Sequence, residues 1–244
     1  MKVVYTFLAV LCFATSYSQE QQAFELRGSN EVVITSDYPS LKIENGNDQK
    51  VDVKMTGASV KATKVTSRTE NGILYIDINF EPEDQRPVKV TYEYDDGTVV
   101  TESGDQMKHW NYHTSPKATI QLPSTIKLNV RATYGTLDIA ERTGSMDIQS
   151  TYGGITMKLP EGYKHDLKVE SGYSFVDLSV SKSTGYSVDL SSTYGEIMSN
   201  LDLEMAKKDG MTALRDTRIQ GTVGRGGPLL KVCATYQNIY LRGY

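Results

Sequence analysis

The sequence predicts an all-β protein, a solenoid of short stacked coils of about 20 residues each. Three observations carry this prediction. First, one phrase recurs: a small or hydroxyl residue, Tyr, often Gly, then an apolar-polar-apolar run. Its copies read A-T-Y-G-T-L-D-I around Tyr134, S-T-Y-G-G-I-T-M around Tyr152, E-S-G-Y-S-F-V-D-L around Tyr173, S-S-T-Y-G-E-I-M around Tyr194 and C-A-T-Y-Q-N-I-Y-L around Tyr236. Second, these tyrosines lie 18, 21, 21 and 42 residues apart, the last interval being two periods. Third, β-branched and aromatic runs punctuated by Gly, Asn, Asp and Pro fill the chain, and no window keeps helical apolar spacing. A strand of four or five residues cannot bury enough surface alone, so matched coils must stack to share a core. An antiparallel β-sandwich of short strands is the alternative.

The elements follow in order. Residues 1–18 read as a signal peptide: Lys2, an apolar run from Val3 to Ala14, then Ser16-Tyr17-Ser18 ahead of a cut before Gln19. The apolar run is too short to span a bilayer, and no later run is long enough. The remaining chain holds 30 acidic and 25 basic residues, a balance that argues against nucleic acid as a partner. It keeps one cysteine, Cys233, expected to be a small buried side chain.

Residues 19–80 form N-terminal β coils behind a polar leader, Gln19 to Gln22. Val51-Asp52-Val53-Lys54-Met55 and Ile73 to Phe80 alternate as half-buried strands should. Residues 81–116 read as an inserted hairpin or lateral excursion. Here Val88 to Tyr94 and Thr98 to Thr101 flank the Asp95-Asp96-Gly97 turn. Residues 117–244 carry the solenoid repeats, continuous with 19–80. The phrase is absent one period after Tyr194, near Arg215, where a degenerate coil is expected. Gly221 to Gly227 is a turn. Roughly ten coils at about 4.8 Å give a rod about 50 Å long.

Tyr134, Tyr152, Tyr173, Tyr194 and Tyr236 are assigned to the scaffold, as one stacked column. The Gly after Tyr is assigned to a corner with positive φ. The candidate binding surface is the aromatic patch of the excursion: Trp110 and Tyr112, flanked by His109 and His113, with Tyr92 and Tyr94. Such rings suit a sugar or a partner protein. Asp recurs between apolar residues at Asp52, Asp77, Asp138, Asp147, Asp177, Asp189 and Asp202. Stacked on one face these could hold calcium, but outward solvated positions are the simpler assignment. No nucleophile elbow, zinc-protease helix or phosphate-binding loop motif is present. No catalytic residue, metal site or cofactor is assigned.

The phrases T-Y-G-T-L-D-I, S-T-Y-G-G-I-T-M and S-T-Y-G-E-I-M resemble the bacterial putative-adhesin domain-of-unknown-function family, related to auto-transporter adhesin head domains. So does the terminal G-G-P-L-L-K-V-C-A-T-Y-Q-N-I-Y-L-R. The likeness covers residues 120–244 clearly and 24–80 loosely, and departs at Gln237, where Gly is usual. It implies a right-handed single-stranded parallel β-helix on an exported protein. The expected function is a non-enzymatic, adhesin-like role, structural or binding, at the cell envelope. A carbohydrate-active enzyme on the same scaffold and a periplasmic partner-binding or sensor module are the alternatives. The expected location is the periplasm, the outer-membrane surface or the medium. The expected partner is an envelope protein or a glycan.

Overall fold

The computed structural model describes residues 19–57, 60–80, 88–93, 99–104, 116–205 and 217–244. The predicted signal peptide and the degenerate coil near Arg215 lie outside these residues. In chain order the strands are β1 (Gln19–Glu25), β2 (Glu31–Ser36), β3 (Ser40–Asn45), β4 (Lys50–Thr56), β5 (Thr63–Glu70), β6 (Ile73–Phe80), β7 (Val88–Glu93), β8 (Val99–Gly104), β9 (Lys117–Leu122), β10 (Lys127–Ala132) and β11 (Leu137–Ile139). They continue as β12 (Met146–Ser150), β13 (Ile155–Lys158), β14 (Leu167–Ser171), β15 (Val176–Val180), β16 (Tyr186–Ser192), β17 (Ile197–Ser199), β18 (Leu203–Met205), β19 (Thr217–Val223), β20 (Leu229–Ala234) and β21 (Ile239–Gly243). One 3-10 turn, Val60–Ala62, is the sole helical element among the described residues. The all-β expectation holds.

Alternating sequence becomes alternating burial. Every second residue of β10, β12, β14 and β16 is buried, and the residues between face outward. From β9 to β18 the chain crosses between two sheets at each corner, so consecutive strands fall in different sheets. One sheet runs β6-β2-β10-β12-β14-β20-β16 and the other β9-β3-β11-β13-β15-β21-β17, both wholly parallel over these strands. The register places like on like: Leu128, Met146, Leu167 and Leu230 form one buried row, and Leu137, Ile155, Val176 and Ile239 the facing one. Stacking thus supplies each short strand with a backbone ladder and an apolar floor.

Within the two stacked sheets, antiparallel pairing is confined to the ends. There β4 and β1 follow β9, β5 follows β6, and β19 and β18 follow β16. The polar leader Gln19 to Gln22 is therefore part of edge strand β1. Its main chain pairs with β4, a role that needs no apolar alternation. Edge strand β5 is exposed over most of its length and carries Lys64, Arg68 and Glu70, charges that discourage further pairing. The stack among the described residues has seven parallel levels, not ten. β7 and β8 pair antiparallel as a separate two-stranded sheet, and the expected turn at Asp95-Asp96-Gly97 lies outside the described residues.

The order of levels departs from the order of the chain. β20 lies between β14 and β16, and β21 between β15 and β17. The last coil is thus inserted one level inside the stack. Among the described residues, the 42-residue interval from Tyr194 to Tyr236 adds no parallel strand between β17 and β20: β18 and β19 leave the stack and pair antiparallel at its end. The returning chain then passes close to the β15-β16 connection. A Cβ on Gly185 would lie 2.3 Å from the Gly226 carbonyl oxygen, and one on Gly227 2.4 Å from that of Gly185. The Gly-rich turn, with Gly224 and Gly226 at positive φ, permits this passage.

Candidate functional site

The corner that follows each strand of the first sheet except β6 carries the Tyr phrase. Two residues before each Tyr stands a buried small residue: Ser36, Ala132, Ser150, Ser171, Ala234 or Ser192. Where it is Ser, its hydroxyl ties the corner. Ser150 donates to the Gly153 carbonyl at 2.7 Å, and Ser171 to that of Ser174 at 2.7 Å. The Tyr ring is thereby turned outward.

Six rings form one column. Tyr38 stacks on Tyr134 at 4.7 Å between centroids, Tyr134 on Tyr152 at 4.9 Å, Tyr152 on Tyr173 at 4.8 Å, Tyr173 on Tyr236 at 4.7 Å and Tyr236 on Tyr194 at 4.9 Å. Interplanar angles run from 6° to 15°. The five scaffold tyrosines do stack, but Tyr236 sits between Tyr173 and Tyr194. Tyr38 joins the column and was missed. Its signal was present in Ser36-Asp37-Tyr38 followed by alternating Leu41-Lys42-Ile43, with Pro39 where Gly was sought. Phe80 closes that end edge-on to Tyr38, at 5.7 Å. The six rings remain 38–55% exposed, and Phe175 beside them is 40% exposed.

The glycine after Tyr has a different cause from the one expected. Gly135, Gly153 and Gly195 are not at positive φ. They are required by close approach: a Cβ on Gly153 would lie 1.8 Å from the Gly135 carbonyl oxygen, and one on Gly135 2.0 Å from that of Pro39.

The other sequence candidates fall as follows. Trp110, Tyr112, His109, His113 and Tyr94 lie outside the described residues. Tyr92 is on β7, with its side chain outside the description. Cys233 is half-exposed on the outer face of β20, not buried, because it is an odd position of that strand's alternation. The Asp residues divide between the two sheets, and most are paired: Asp147 with Arg131 at 3.3 Å, Asp177 with Arg242 at 2.8 Å, Asp189 with Arg218 at 2.9 Å, and Asp77 with Arg68 at 3.1 Å. The Arg218 hydrogen bond holds the Asp189 carboxyl below its usual range. No group of three metal-ligating side chains occurs among the described residues.

The opposite corner holds a buried polar pair. The Arg142 guanidinium is fully buried and donates to the Pro123 and Ile126 carbonyls at 2.7 and 3.2 Å. The Tyr163 hydroxyl donates to the Gly144 carbonyl at 3.2 Å. Both stabilise turns whose carbonyls face inward. Arg142→Met is expected to lower stability by about 2 kcal/mol in urea unfolding, by stripping donors from two buried carbonyls.

Burial pushes the Tyr163 phenol up to about 12. A folded pKa above the unfolded value near 10 means the contribution is complete below pH 10 and is lost as pH rises toward 12. The loss is roughly 2–3 kcal/mol. Burial lowers Arg142 to about 10, so it titrates in the opposite sense. The measurement is therefore the difference in unfolding free energy between wild type and Tyr163→Phe from pH 9 to 12. The wild type is expected to lose its advantage across that range.

Fold and corner together define an all-β, solenoid-like stack of coils that displays an aromatic column. Residues 119–223 match the Toastrack DUF4097 family. The expected kinship with the putative-adhesin domain-of-unknown-function family is thereby supported. No curated protein matches the sequence. The chain is similar to the crystal structure of a putative cell adhesion protein from Clostridium sporogenes ATCC 15579, with a TM-score of 0.63 at 11% identity over 94% of this chain and 100% of that one. A putative adhesin from Bacteroides fragilis NCTC 9343 aligns at a TM-score of 0.35 and 12% identity, over 93% of this chain and 97% of that one. The first likeness is one of fold. No helix among the described residues is long and apolar enough to cross a membrane.

Proposed function

We propose that this protein is an exported, non-enzymatic, adhesin-like binding module of the cell envelope. Its coils are taken as a right-handed parallel β-helix of about 20 residues per turn, the hand that parallel crossovers adopt. The observation that carries the reading is the half-exposed tyrosine column, which runs unbroken across six levels. Monomeric proteins seldom expose contiguous aromatic surface without a use for it. The enzyme reading requires carboxylates converging in a cleft. Here the strand aspartates instead divide between two outer faces in ion pairs. The "cell adhesion" description of the Clostridium sporogenes relative agrees with this reading.

Two measurements test it. Cells making the full chain are fractionated and the product is weighed by intact mass spectrometry. An envelope or medium location with a start at Gln19 is expected, and a full-length cytoplasmic product would refute export. The purified protein is then assayed for adhesion to whole cells and for release of sugar fragments from polysaccharides. Adhesion without release is expected, and catalytic turnover would refute the non-enzymatic reading.

A further inference from the structure

The tyrosine corner differs from the rest of the surface in charge. The chain as a whole is 23% charged, and both outer faces carry ion pairs such as Lys127 with Glu31 and Arg242 with Asp177. Around each column tyrosine, from the residue before it to the second after it, the only charged residues are Asp37 and Glu196. These two lie in the first and last levels of the column, and the four levels between hold none. Thr133, Thr151 and Thr235 precede their tyrosines there and are at least partly exposed. An aromatic strip depleted of charge at its centre is the composition of a recognition surface.

The stacking decides which chemistry the strip offers. Each ring turns its faces to its neighbours at 4.7–4.9 Å, so the negative π faces within the column are occupied. What remains outward is ring edge, which carries partial positive charge, and phenol hydroxyl. Among the described residues, the hydroxyls of Tyr134, Tyr152, Tyr173, Tyr194 and Tyr236 have no hydrogen-bond partner. Such a surface does not select cations, which need ring faces. Positive edges, phenols and threonine hydroxyls all suit oxygen atoms of an uncharged ligand. The strip is roughly 24 Å long, five steps of about 4.8 Å, and so suits an extended polymer.

We infer that the tyrosine corner binds a neutral polysaccharide laid along the stack. This deepens the adhesive reading above and rests on it. An acidic polysaccharide would meet the net negative charge of the chain and the acids at both ends of the strip. A second copy of this chain would set Asp37 against Asp37 or Glu196 in either orientation, like charge on like.

The test uses the chain from Gln19 in affinity electrophoresis and calorimetry. The neutral probes are dextran, a β-1,3-glucan and galactomannan, and the acidic probes are alginate and dextran sulfate. Two variants accompany the wild type. Tyr152→Phe/Tyr173→Phe/Tyr236→Phe keeps the rings and removes three hydroxyls. Thr151→Asp/Thr235→Asp puts charge into the strip at accessible positions. Near-UV circular dichroism and Tm confirm that both remain folded. The wild type is expected to bind at least one neutral polymer and neither acidic one, and each variant to bind at least about tenfold more weakly. Equal binding by the variants overturns the inference, as does binding of acidic polymers alone. Self-association in sedimentation equilibrium that the Phe variant abolishes also overturns it, in favour of a second copy. A wild type that adheres to whole cells but binds no neutral polymer overturns this inference and leaves the adhesive reading intact. Adhesion to nothing overturns both.

Discussion

Gly153→Ala is expected to lower stability by about 4 kcal/mol, a fall in Tm of roughly 10 °C. The cause is the spacing of the stack. An added Cβ would lie 1.8 Å from the Gly135 oxygen and 2.5 Å from its carbon, and both are backbone atoms. They cannot move alone. Either side of them, Tyr152 N donates to the Thr133 carbonyl at 2.8 Å and Leu137 N to the Gly154 carbonyl at 2.9 Å. Relief therefore requires two levels to separate, with loss of ladder bonds and ring stacking together. Gly162→Ala is the control. It stands at φ +69° with nothing within 4 Å of the added carbon, so its cost is dihedral alone, about 1 kcal/mol. Urea unfolding of the two variants gives the comparison. Equal costs would mean that the levels do not approach closely at the tyrosine corner.

This contrast marks where the sequence was legible. The Tyr phrase announced the column because side-chain periodicity is written in the chain, and stacking places equal positions on equal positions. The glycine after it was misread, because a sequence shows which residue stands at a corner but not what lies directly above it. Positive φ and close approach demand the same residue, and only the backbone separates them. β1 escaped notice for a related reason: an edge strand held by main-chain bonds to β4 needs no apolar alternation, and Gln19 to Gln22 shows none. Cys233 was expected inside because cysteine favours burial in general. Its neighbours Val232 and Ala234, both fully buried, fix the opposite parity for it. The neutral strip was legible in principle. It emerges once the corners are aligned level by level, which needs Tyr38 and the true order of coils.

That order could not be read at all. A Tyr-to-Tyr interval of two periods fits a degenerate coil as well as an excursion and return. The structure shows the return, and this fixes the second large expectation: a chain ending at Gly227 does not fold cooperatively. In a solenoid stacked in chain order, such a cut removes one terminal level, and the remainder frays slightly. Here it removes β20 and β21 from inside the stack. Leu230, Val232, Ile239 and Leu241 are fully buried, each contributing about 1.5–3 kcal/mol, a sum comparable with the 5–15 kcal/mol that typically separates folded from unfolded chains. β16 and β17 lose their parallel partners at the same time. Hydrogen exchange on the intact protein supplies the companion measurement. Amides of β20 and β21, although these strands follow all the others described, are expected to exchange as slowly as those of β12 to β15, and more slowly than those of β17 and β18. A truncated chain that unfolds in one sharp transition would mean that β16 can take the place of β20 on β14. Fast exchange in β20 and β21 of the intact protein would mean that the last coil does not lie within the stack. If both expectations hold, the native order of levels forms only after β21 has been made, because the level that joins β14 to β16 follows β16 and β17 in the chain.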